Sequence, residues 1–148
     1  MEWIILFVVS WALFIVLVDL KKLKYNIWSG LFAALMQQTI DSQKMSHGFY
    51  SLENLILSIN GSSIFFTLGP VLVVGTLFAQ YYPDRSWARI TAVVILAGLF
   101  SMQEHFLVLR KDVIYLNWYF YDSITYNILS MITLSWFSIV ILNKRGCK

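Results

Sequence analysis

Apolar residues in this chain fall in long runs, not in the strict alternation of a half-buried strand. Trp3 to Leu20 is the first run, closed by Lys21, Lys22 and Lys24. Ile27 to Ile40 is shorter, about fourteen residues, a length that also suits a re-entrant or interfacial segment. Ser62 to Ala79 follows, with Gly69-Pro70 near its middle, where a kink is expected. Trp87 to Leu109 is the longest, roughly 34 Å as a helix and sufficient to cross a bilayer. A last run covers about Trp118 to Leu142. Between the second and third runs, Leu52, Leu55, Ile56 and Ile59 recur at helical spacing, with Ser51 before them and Gly61 after. That pattern predicts a short helix over about 52–60, lying on the membrane surface. Asn60-Gly61-Ser62 also matches a glycosylation sequon, a weak three-residue pattern.

Composition places these runs in a membrane. Of the 148 residues, 59% are hydrophobic and 13% charged, about half the charged share of a soluble domain. The length allows one domain over 1–148. Glu2 stands where a secretory leader would be basic, and no small-residue cleavage site follows, so the first run is expected to be retained.

The basic residues decide the topology. If Ile27–Ile40 spans, eight of the 11 Lys and Arg residues share one side: Lys21, Lys22, Lys24, Arg85, Arg89, Lys144, Arg145 and Lys148. Lys44, Arg110 and Lys111 fall on the other. If it does not span, the split is six to five. The positive-inside rule selects the first arrangement. The expected fold is therefore an all-α, polytopic transmembrane bundle of five spans (about 3–20, 27–40, 62–79, 87–109 and 118–142), N-terminus out and C-terminus in. Trp3 and the Tyr115–Tyr121 aromatics read as interfacial anchors. Gly30/Ala34 and Gly75/Ala79 read as small-residue packing faces. Asp19 reads as local charge balance for the neighbouring lysines.

The net charge of +3 reflects basic groups at span ends and carries no nucleic-acid signature. Cys147 is the lone cysteine, which excludes an internal disulfide and a Cys-based zinc site. No metal-ligand spacing, nucleophile elbow or phosphate-cradling loop is present, so no cofactor, metal or catalytic residue is assigned.

What chemistry there is gathers toward the outer face. Asp41, His47, Glu53, Glu104, His105, Asp112 and Asp122 lie there, with the amides Gln37, Gln38, Gln103, Asn117 and Asn127 at similar depth. An ionisable side chain within a span is a functional-site candidate by default. Glu104, with His105, Asp41, Asp122 and Asn127 near it, is the candidate ligand site, for a proton, a cation or a lipid headgroup. The competing reading is that each group marks a helix end in the headgroup layer. Glu104 and His105 are sequence neighbours, so they project about 100° apart on a helix and do not form a ready pair.

A helix closing on Asp41, a helix bearing Pro70, the following Gln80, a helix carrying Glu104 and the outer Trp118 together resemble a family of uncharacterised small multi-pass membrane proteins of endospore-forming Gram-positive bacteria. The likeness runs from Trp28 onward. One turn before the proline that family would have an acidic residue, where this chain has Phe65 and Phe66. The resemblance implies a bacterial cytoplasmic membrane and transfers no activity. The expected function is a non-enzymatic accessory or assembly subunit. Its partners are the lipid bilayer and either another membrane protein or further copies of the chain. The alternative is a membrane enzyme or small transporter or channel subunit that uses an outward-facing cavity around Glu104.

Overall fold

The computed structural model describes residues 2–143, so Lys144, Arg145, Cys147 and Lys148 lie outside the described residues. Five helices dominate: α1 (Glu2–Leu17), α2 (Leu20–Ser46), α3 (Ile64–Gln80), α4 (Ser86–Leu109) and α5 (Phe120–Val140). Their directions alternate. One end of the bundle carries the short link from α1 to α2 and the turn from α3 to α4. The other end carries four short strands, β1 (Tyr50–Leu52), β2 (Ser58–Ile59), β3 (Ser62–Ser63) and β4 (Val113–Tyr115), and is called the cap end below.

By length and composition, α4 and α5 can each cross a membrane; α1 and α3 are apolar but shorter. α2 is long enough, at 27 residues, but starts with three lysines and ends with Asp41 and Lys44. Large apolar side chains point outward along the bundle, among them Val16 at 79% and Trp87 at 82% exposure. Exposed apolar side chains in this number mark a surface that meets lipid or another protein.

α2 begins where the Asp19 carboxylate accepts from the Lys21 amide and pairs with Lys22 at 3.8 Å, so Asp19 is a helix N-cap and a local charge partner. The helix outruns the apolar segment by a turn and a half because Ser42 to Ser46 contains neither Gly nor Pro. It stops at Gly48, whose φ of +68° is the left-handed conformation that glycine adopts without strain. The α1–α2 link is only Val18 and Asp19, and α3 clasps it. The Gln80 side chain accepts from the Asp19 amide at 2.8 Å and donates to the Leu17 carbonyl at 2.8 Å. Tyr81 donates to that same carbonyl at 2.7 Å.

The two small-residue faces meet one another. A Cβ at Gly75 would lie 2.8 Å from Ala33 Cβ and 3.0 Å from Gly30 Cα, so α2 and α3 run with their backbones nearly touching. Pro70 has no N–H to donate, and around it α3 widens into a π-helical turn, Thr67–Val71. Thr67 Oγ1 donates to the Ser63 carbonyl at 3.0 Å. Ala33, Val71, Phe78, Val93, Ala97, Met131 and Leu134 fill the centre between α2, α3, α4 and α5.

The expected surface helix over 52–60 is absent. Residues 50–52 pair antiparallel with 113–115, and 58–59 pair with 62–63 around Asn60-Gly61. Asn60 (φ 50°) and Gly61 (φ 86°) are both left-handed, as a two-residue hairpin turn requires. Of the four apolar residues at that spacing, Leu52 and Leu55 join the cluster around Trp3, Tyr50, Leu107, Val113 and Trp118, while Ile56 and Ile59 are exposed. Trp3 is accordingly no interfacial anchor: it is 2% exposed and its indole N–H donates to the Glu53 carbonyl at 3.1 Å. Trp118 is also buried, while Tyr119 and Tyr121 face outward.

Trp3 is thus the pin that ties α1 to the cap. Trp3→Phe is expected to destabilise the protein by about 1–2 kcal/mol, from the lost hydrogen bond and the vacated volume. Thermal unfolding measures the loss, and limited proteolysis should cut residues 53–61 faster in the variant.

Candidate functional site

Beneath the cap, α2, α4 and α5 diverge around a cavity of about 70 Å³, room for a few water molecules. Its polar wall includes Gln37, Asp41 and Lys44 from α2, Glu104 from α4, and Ser123, Asn127 and Ser130 from α5. Tyr50 and Val113 of the strands close it above, and Phe66 and Phe100 line its apolar side.

The strand pairing places the two carboxylates' partners. Tyr50 on β1 lies directly opposite Tyr115 on β4, so both rings leave the same face of the pair. Each phenol donates to a different helix. Tyr50 donates to Asp41 Oδ1, and Tyr115 donates to Glu104 Oε1 at 2.8 Å. Burial, and then the Asp41 carboxylate, pushes the Tyr50 phenol far above its ordinary range. Burial also raises Tyr115, opposed by Ser123 and reinforced by Glu104. Both phenols are therefore protonated donors.

Asp41 is 4% exposed and fully occupied. Besides Tyr50, it accepts from Gln37 Nε2 at 2.8 Å and from Ser62 Oγ, on β3 just before α3, at 2.8 Å. Glu104 Oε1 accepts a second bond, from Ser123 Oγ at 2.5 Å, and Trp118 Nε1 donates to that serine at 2.7 Å. Glu104 Oε2 takes no hydrogen bond among the described residues. Asn127 Nδ2 donates to Ser101 Oγ at 3.1 Å.

Three of the five expected site residues therefore converge: Asp41, Glu104 and Asn127 all line the cavity. No hydrogen bond links Glu104 to Asp41 or to Asp122 among the described residues. Two of the five are elsewhere. Asp122 accepts from the Tyr119 amide at 3.0 Å and caps the start of α5. His105 is exposed, with its ring 5.2 Å from that of Phe120, on the side of α4 that adjacency to Glu104 dictates.

Sequence reasoning missed Tyr50, Ser62 and Tyr115, which the strand register and the hairpin deliver. It also counted Lys44 only as a loop charge, because α2 was ended at Ile40. Among the described residues no group of three or more His, Cys, Asp or Glu side chains is placed to hold a metal ion. No protein-family model, curated protein or solved structure matches the chain.

Proposed function

We propose that this chain is a small integral membrane protein of five spans, N-terminus out and C-terminus in, in a bacterial cytoplasmic membrane. It acts there as a non-enzymatic accessory subunit that holds a small polar guest in an outward-facing pocket around Glu104. Membership of the small multi-pass family of endospore formers is part of the same proposal. The alternating helices support the topology: Lys21, Lys22, Lys24, Arg85 and Arg89 share the end opposite the cap. The outward-pointing apolar side chains support burial in lipid.

The observation that carries the function is the shared cavity of Asp41 and Glu104, two carboxylates from different helices whose hydrogen bonds are largely preassembled. Donors from α2, α5 and three different strands hold the two carboxylates in fixed positions. A site whose polar groups are positioned in advance is built to hold a guest, which favours binding over catalysis.

Asn127→Cys in a Cys147→Ser background tests this in sealed right-side-out vesicles. A small membrane-impermeant thiol reagent added outside is expected to label position 127. Labelling only after permeabilisation, or none, overturns the outward-facing pocket.

A further inference from the structure

Two hollows meet at one side chain. Beside the cavity lies an open depression of about 240 Å³ lined by Ile40, Gln43, Lys44, His47, Phe49 and Tyr126. Ile40, Lys44 and Tyr126 line both, so Lys44 stands between the depression and the carboxylates.

The Lys44 ammonium has an unusual seat. It makes no hydrogen bond and no ion pair within 4 Å among the described residues. It rests instead 3.9 Å from the Tyr126 ring centroid and 4.3 Å from that of Trp118, with Tyr50 at 5.7 Å. Asp41 and Glu104 share the cavity wall with it, and they and Asp122 attract it electrostatically without touching it. A box of aromatic faces backed by carboxylates is the arrangement that recognises organic ammonium ions. Here a lysine of the same chain fills it.

We infer that the pocket takes a small primary ammonium group, and that Lys44 is the tethered occupant of its seat, displaced as the guest passes from the depression toward Glu104. This rests on the binding-pocket reading above. The cavity's size limits the guest to something like methylammonium or ethanolamine. Glu104 Oε2, lacking a donor, favours an ammonium that has N–H bonds to give over a quaternary one. Where the ammonium belongs to a lipid headgroup, displaced Lys44 is left free to meet its phosphate. The ammonium has two sources, a free amine in the outer water or the ethanolamine headgroup of a lipid.

The test uses the full chain in phosphatidylglycerol nanodiscs, followed by thermal unfolding at constant ionic strength. Methylammonium and ethanolamine are expected to raise the midpoint saturably, choline less, potassium not at all. Lys44→Met should lower the half-saturating amine concentration about tenfold, because the competing cation is gone. Tyr126→Ala, at a half-exposed position, should abolish the effect. In nanodiscs of phosphatidylethanolamine, a raised midpoint that added ethanolamine does not increase identifies the headgroup as the source. An unchanged midpoint there identifies the free amine. No saturable shift in either wild type or Lys44→Met overturns the ammonium chemistry. A Lys44→Met variant that binds no tighter than wild type overturns the displacement. Labelling at position 127 separates the two levels: accessibility without amine binding fails this inference alone, and inaccessibility fails the pocket itself.

Discussion

Gly30→Ala is expected to cost the protein about 3 kcal/mol, the upper part of the range for forcing a methyl group into a packed interior. The new Cβ would lie 2.5 Å from the Leu72 carbonyl oxygen and overlap Thr76 Oγ1. Thr76 is committed to the same carbonyl at 2.8 Å, and a backbone oxygen cannot rotate away, so α2 and α3 must separate. In a membrane, helices associate through close backbone packing and not through the exclusion of water, so that separation removes much of what holds the pair. Gly98→Ala is the matched control: nothing lies within 4 Å of a Cβ there, and stability should hold or rise slightly through better helix propensity. Thermal unfolding in detergent compares the two. Equal midpoints for both variants would remove the α2–α3 contact as an organising feature.

Asp41→Ala should be at least as damaging, at about 3–5 kcal/mol. It strips the acceptor from Tyr50, Ser62 and Gln37 at once, and each buried donor left without a partner costs about 1–3 kcal/mol. Asp41→Asn retains an acceptor oxygen and should cost about half as much. Tyr50→Phe removes one donor and leaves the others paired, so it should cost about 1 kcal/mol. The order Ala, Asn, then Tyr50→Phe in unfolding midpoint is the checkable result. Because Asp41 links α2 to both β1 and β3, the alanine variant should also lose protease resistance across residues 49–63 first.

The five helices were visible in the chain because each rests on an apolar run, and run length places four of them to within three residues, while α2 extends six or seven residues beyond its run at each end. The Gly30 and Gly75 faces were visible for the same local reason. The cap was not. Its β1–β4 pairing joins segments some sixty residues apart, and no local pattern encodes which tyrosine opposes which. The 52–60 stretch misled because four apolar residues at helical spacing outweighed Asn60-Gly61, a two-residue turn signal that dominates the local backbone. Glu104 and His105 were correctly expected to diverge, since one residue on a helix is a turn of about 100°. Depth along the bundle grouped Asp122 with the site, but its carboxylate is engaged in capping α5. Lys44 escaped because the end of an apolar run was taken for the end of a helix.

The Gln80 clasp has a consequence for how the protein is made. The turn between the first two helices is closed by a side chain 61 residues downstream of Asp19. On the ribosome, α1 and α2 are synthesised before their fastener exists. Until Gln80 and Tyr81 emerge, the Leu17 carbonyl and the Asp19 amide lack the partners they have in the finished fold. The nascent N-terminal hairpin therefore gains its fastener only when the third helix arrives.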